Sequence, residues 1–214
     1  MRGMALAFVL LAATAAVALV LASDPGPKRP APPGGSVPLT RPLRVSSGSQ
    51  IATGFGVGGD RVVTVAHALG EDVSVDGHRA RVVRLDRQSD LALLAVRGLA
   101  TSGLDFGGTP AIAADSGRDG ARLRLLRLRS GRGSALAVRV RRAIIAHVRA
   151  AGAHGTVTRP ALELAGRVEP GDSGAPVVSR SGAVAGVVFA GSSRRSRTAY
   201  ATDASAVARL LACD

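Results

Sequence analysis

Glu169-Pro170-Gly171-Asp172-Ser173-Gly174-Ala175-Pro176 sets one serine behind an aspartate and encloses the pair with glycines. Gly, Asp, Ser and Pro are the usual residues of surface turns, so one reading is a plain turn. The other makes Ser173 a nucleophile, with the glycines shaping backbone N–H groups into an anion-binding pocket. The stretch by itself leaves both open. What separates them is whether the chain also offers a histidine and an aspartate in suitable settings.

The 214 residues allow one or two domains with a real core. Hydrophobic residues make up 46%, which excludes disorder throughout, while aromatics are only 2%, so Val, Leu, Ala and Ile must build that core. The 27 glycines suit tight turns between short strands. Net charge is +13, nearly all from arginine, since Lys28 is the one lysine. The densest basic run, Ala121 to Arg142, alternates Leu with Arg and reads as a β-hairpin around Ser130-Gly131-Arg132-Gly133 with a solvated face. No aromatics are interleaved for base stacking, which argues against a nucleic-acid partner. Cys213 is the one cysteine, so no intrachain disulfide is possible.

Met4 to Ala22 carries no charge and is long enough to span a membrane; Val20-Leu21-Ala22 is also a passable cleavage site. Residues 1–22 are therefore a signal anchor or a signal peptide, with the anchor favoured, and either places the rest of the chain outside the cytoplasm. Residues 23–42, rich in Pro and Gly, form a semi-extended linker.

From Leu43 onward short apolar segments alternate with turn signals. Asp76-Gly77 marks a type I′ hairpin, Leu91 to Val96 a buried strand, and Asp203 the N-cap of a terminal helix. Many short strands imply an all-β sandwich or barrel. A glycine-rich break, Gly103 to Gly108, divides residues 43–214 into halves of about 43–105 and 106–214, without a sequence repeat.

His67 stands in Thr64-Val65-Ala66-His67-Ala68-Leu69, where a buried strand runs out into a turn. Asp90 opens Ser89-Asp90-Leu91-Ala92-Leu93-Leu94-Ala95-Val96; an acid leading into so apolar a strand is drawn toward the core and needs a hydrogen-bonding partner. Taken singly, each is as well read as structural. His78, His147 and His154 have no such chemical company.

Together, "TVAHAL", "SDLALLAV" and "PGDSGAP", in the order His, Asp, Ser, resemble the trypsin-like (chymotrypsin-fold) serine proteases, more closely the bacterial, disulfide-free, HtrA-like and membrane-tethered branch. The resemblance covers about residues 43 to 212. It implies two six-stranded antiparallel β-barrels with a C-terminal helix, preceded here by the N-terminal hydrophobic helix, and a site in the cleft between them. No PDZ domain is expected after the terminal helix, and no N-terminal activation sequence is visible. Ala175 departs from the family's usual second glycine after the serine, a change of one methyl.

The resemblance implies His67 as general base and acid, Asp90 as the residue orienting its imidazole, and Ser173 as nucleophile. The N–H groups of Gly171 and Ser173 would form the oxyanion hole. Arg167, Val188, Phe189, Ala190 and Gly191 would wall a pocket for small or medium apolar side chains. No metal or other cofactor is expected. The leading expectation is an exported serine endopeptidase acting on protein or peptide substrates through an acyl-enzyme. The alternatives are a catalytically silent binding module of the same fold, or a basic membrane-associated binding protein.

Overall fold

The computed structural model describes residues 41–104, 106, 116–117, 120–149 and 156–212. The apolar run Met4 to Ala22, the linker up to residue 40, most of the glycine-rich break, His154 and Cys213 lie outside them. Among the described residues no helix is long and apolar enough to cross a membrane.

Six strands form a first closed barrel: β1 (Leu43–Ser47), β2 (Gln50–Gly58), β3 (Arg61–Val65), β4 (Val73–Val75), β5 (His78–Asp86) and β6 (Leu91–Val96). Their order around the ring is β1-β2-β3-β6-β5-β4. The β4–β5 hairpin turns at Asp76-Gly77, with φ of 47° and 86°. Positive φ at both central residues is what a type I′ turn requires, and it matches the right-handed twist of the strands. Closure comes from β1 against β4, where Val45 faces Val75.

The second sheet contains β7 (Ser116–Gly117), β8 (Gly120–Arg129), β9 (Arg132–Arg149), β10 (Thr156–Ala165), β11 (Pro176–Val178), β12 (Val184–Gly191) and β13 (Thr198–Asp203). Its neighbours run β11-β12-β13-β10-β9-β8-β7, and β11 also pairs with β8, so six of the strands close a second ring. Counting from the first strand of each ring, both barrels follow first-second-third-sixth-fifth-fourth, a repeat of topology that the sequence does not display. The β8–β9 hairpin turns at Ser130-Gly131, again with two positive φ angles, 50° and 75°.

The cores follow from the apolar pattern. Phe55, Val62, Val63, Val65 and Leu91 fill the first barrel; Leu125, Leu164, Val177 and Val188 fill the second. In β6, Leu91, Ala92, Leu93, Leu94 and Val96 are all buried, because one face lines the barrel and the other meets the terminal helix. That helix, α1 (Ala204–Ala212), buries Ala204, Val207 and Leu210 along one stripe and starts where Asp203 Oδ1 accepts the Ser205 N–H at 2.8 Å. Arg84 of β5 donates to the Leu210 carbonyl at 2.7 Å, tying the helix to the first barrel.

Candidate active site

His67 is delivered by the end of β3. Val65 is the last buried strand residue, and a single 3₁₀ turn, Ala66–Ala68, follows. The Ala66 N–H donates to the Asp90 carbonyl at 3.1 Å, so the turn is pinned to the start of β6. Asp90 has φ of +59°, a conformation that Asp tolerates better than most residues. Its carboxylate faces that turn. Oδ1 accepts the His67 backbone N–H at 2.9 Å, and Oδ2 lies 2.7 Å from His67 Nδ1. An ionised carboxylate only accepts, so Nδ1 carries the proton of that bond and neutral Nε2 keeps a free lone pair.

The second barrel holds the same region. Thr202 Oγ1 of β13 donates to the Ser89 carbonyl at 3.0 Å. Arg159 Nη1 of β10 stands 3.4 Å from Asp90 Oδ2.

Ser173 lies in the loop from β10 to β11. Gly171 has φ of +90° and Gly174 of +84°. At Gly174 a side chain is excluded twice, because a Cβ there would also stand 1.9 Å from the Thr53 carbonyl oxygen. The loop is stitched to the first barrel through Thr53 of β2, whose N–H donates to the Ser173 carbonyl at 2.8 Å and whose Oγ1 donates to the Gly171 carbonyl at 2.7 Å. It is stitched to β12 by Gly174 N–H on the Val188 carbonyl, at 2.7 Å. The loop's other N–H groups are similarly used: Asp172 on Glu169 and Ala175 on Asp172. Those of Gly171 and Ser173 donate to no acceptor among the described residues. Separated by Asp172 alone, these two donors make an arrangement that suits a developing negative charge.

Asp172 is 1% exposed, and its burial is balanced locally. Arg129 binds both of its oxygens at 2.8 Å, Arg127 Nη1 lies at 3.4 Å, and the Glu169 N–H donates to Oδ2 at 2.9 Å. The hydrogen bond to Asp172 holds the Arg129 guanidinium above the ordinary arginine range, against the opposing effect of burial. Two arginines of the basic hairpin therefore grip the loop that carries Ser173, where the sequence suggests a solvated sheet face. The alternation of Leu with Arg identifies the strand; it does not show which arginines meet a buried acid some forty residues away.

A cleft of about 320 Å³ opens beside Ser173. Val188, Ala190 and Gly191 line it, together with Val168, Glu169, Pro170, Asp172 and two residues that sequence reasoning missed, Ser192 and Ser193. Arg167 and Phe189 are not among its walls. Phe189 is the extra residue at a register shift in β12, between Val188 opposite Ala201 and Ala190 opposite Tyr200, and is 6% exposed against Tyr200. The Arg167 side chain is 72% exposed and faces Glu169 at 4.0 Å. His78 and His147 are exposed and lie on β5 and β9, and His147 meets Thr158.

The family model for the trypsin-like peptidase domain matches residues 52–187, a stretch containing His67, Asp90 and Ser173. Serine protease Rv3671c of Mycobacterium tuberculosis is 33% identical over 168 residues, which cover 75% of this chain and 41% of that protein. The chain thus spans about two fifths of the length of this curated relative. The crystal structure of the Rv3671c protease in its active form superimposes with a TM-score of 0.68 at 32% identity, covering 80% of this chain and 78% of the other. The MamO protease domain of Magnetospirillum magneticum shares the fold, with a TM-score of 0.62 at 21% identity over 81% of this chain and 96% of that one. With its two barrels in the chymotrypsin-like arrangement and more than half of its length matched, the chain belongs to the trypsin-like peptidase family.

Proposed function

We propose that the chain is an exported serine endopeptidase that cleaves protein or peptide substrates through an acyl-enzyme. The observation that carries this reading is the His67–Asp90 pair at 2.7 Å, combined with a Ser173 loop whose Gly171 and Ser173 N–H groups are left free. In this mechanism His67 Nε2 takes the Ser173 hydroxyl proton as Oγ attacks the scissile carbonyl. The proton then passes to the leaving amine, and water repeats the sequence to release the acyl group. Asp90 keeps the ring in one tautomer and stabilises the imidazolium as it forms. The two free N–H groups bind the oxyanion; loss of one such donor typically costs about 3–4 kcal/mol of barrier. The cleft lined by Val188, Ala190 and Pro170 suits a small or medium apolar side chain beside the cleaved bond.

Export is part of the proposal. Its support is the uncharged run Met4 to Ala22 followed by a Pro-rich linker, which favours a single-pass anchor over a secreted form. The test of the chemistry is labelling by a fluorophosphonate probe, which reacts only with an activated serine. The parent takes the label and Ser173→Ala does not; equal labelling of both would place the nucleophile elsewhere. Membrane fractionation before and after carbonate washing tests the anchor.

A further inference from the structure

The second barrel buries an arginine against the carboxylate of the first. Arg159 is 4% exposed. Its guanidinium lies over the Phe189 ring, 5.2 Å from the centroid. Nη1 stands 3.4 Å from Asp90 Oδ2, the oxygen that also meets His67 Nδ1. Neither Nε nor Nη1 has a hydrogen-bond partner among the described residues. Burying a guanidinium with unbonded donors is costly, and an apolar side chain of similar volume would fill the space without that cost. Packing therefore does not account for it. Asp90 supplies the reason: its side chain is only 11% exposed, its hydrogen bonds among the described residues come from His67, and a buried carboxylate needs a counter-charge.

We propose that Arg159 is a positioning residue that acts through Asp90 and holds the two barrels in catalytic register. The proposal rests on the functional reading above. The carboxylate is clamped between an imidazole from the first barrel and a guanidinium from the second. Arg159 is fixed in turn by the face of Phe189. The neighbouring Val188 carbonyl accepts the N–H of Gly174, the residue after the nucleophile. A short run of contacts thus joins Asp90 to the Ser173 loop through the Arg159 and Phe189 side chains, neither of which lines the cleft, and through the Val188 backbone. Its loss acts on turnover and leaves substrate binding in place. The cation keeps Asp90 an acceptor aimed at Nδ1, so the imidazole presents Nε2 at the angle the serine needs.

The test compares the parent with Arg159→Met, Arg159→Lys, Asp90→Asn and the double variant Asp90→Asn/Arg159→Met. Peptide turnover and fluorophosphonate labelling rates are measured on the full chain. Arg159→Met lowers kcat by about tenfold to a hundredfold with KM changed less than about threefold, a size typical of directly coupled residues. Arg159→Lys, which keeps the charge but loses the stacked plane, falls between the two. In the Asp90→Asn background, Arg159→Met causes no further loss, because the group it acts through is gone. A kcat for Arg159→Met within twofold of the parent would overturn the proposal, as would the same fractional loss in both backgrounds. The deshielded proton resonance of the His67 Nδ1–Asp90 bond gives an answer independent of turnover. It shifts or broadens in Arg159→Met and Arg159→Lys, and an unchanged resonance in either counts against the clamp. If the parent takes no probe, the peptidase reading fails and the resonance decides the clamp alone.

Discussion

Arg129→Met tests whether the basic hairpin holds the nucleophile loop. The substitution keeps most of the side-chain volume and removes two charge-assisted bonds of 2.8 Å to a carboxylate that is 1% exposed. Bonds to charged groups contribute about 1.5–3 kcal/mol each, and stripping one partner from a buried pair costs about 3–5 kcal/mol. Three features bring the value to the low end. The Arg129 side chain is 30% exposed, so solvent already weakens the pair. Arg127 remains at 3.4 Å, and the Glu169 N–H still donates. The expected loss is about 2–3 kcal/mol, or roughly 5–10 °C in Tm for a domain of this size. Denaturant titration followed by circular dichroism measures it. The double variant Arg129→Met/Asp172→Asn recovers part of the loss, because no uncompensated charge is left buried. Probe labelling of Ser173 slows in Arg129→Met, since Asp172 adjoins the nucleophile and fixes the turn that exposes the two free N–H groups. Stability within about 0.5 kcal/mol of the parent, together with unchanged labelling, would refute the reasoning.

Gly174→Ala places a methyl where the Thr53 carbonyl oxygen stands, at a φ of +84°, so labelling is lost and the melting temperature falls; parent-rate labelling would contradict the close approach. Asp90→Asn lowers peptide turnover by about four orders of magnitude, read as kcat/KM, by allowing the wrong imidazole tautomer. Glu163 is held below the ordinary carboxylate range chiefly by the Arg142 hydrogen bond, with Arg195 and Arg141 adding to it. A depressed carboxylate stabilises the fold above its unfolded value of about 4.3, and that contribution is lost as pH falls through the folded value. Denaturation midpoints of the parent therefore drop below about pH 4.5 more steeply than those of Glu163→Gln, which lacks this titration.

The parts of this molecule that are written locally could be read from the sequence. Asp76-Gly77 announces its turn because few other residues accept two positive φ angles, and Asp203 announces its helix by capping. His67, Asp90 and Ser173 were legible as three motifs in one order, each a junction between an apolar strand and a turn. The ring closures were not legible. Val45 meets Val75 and Leu125 meets Val177 across long stretches of chain, and nothing in either pair specifies the other. The same limit hid the arginine contacts: Arg129 and Asp172 lie 43 residues apart. Arg159, between Thr158 and Pro160, has no local signal that separates it from the exposed arginines around it. Phe189 was misplaced for a simpler reason. A run of cleft residues along a strand was taken as continuous, whereas a register shift at Phe189 breaks it.

Closure of the second barrel also fixes when the site comes into being. One link in that ring is β11, Pro176–Val178, which joins β12 to β8. It begins just beyond Ser173-Gly174-Ala175, so seating β11 between strands distant in sequence also fixes one end of the Ser173 loop. Such non-local pairings form late in folding, after the loop entropy they demand has been overcome. A chain with its first barrel complete carries His67 and Asp90 but lacks Arg159 beside the carboxylate and the Val188 carbonyl that holds Gly174. Under the proposed function, the capacity to cleave therefore waits on closure of both barrels.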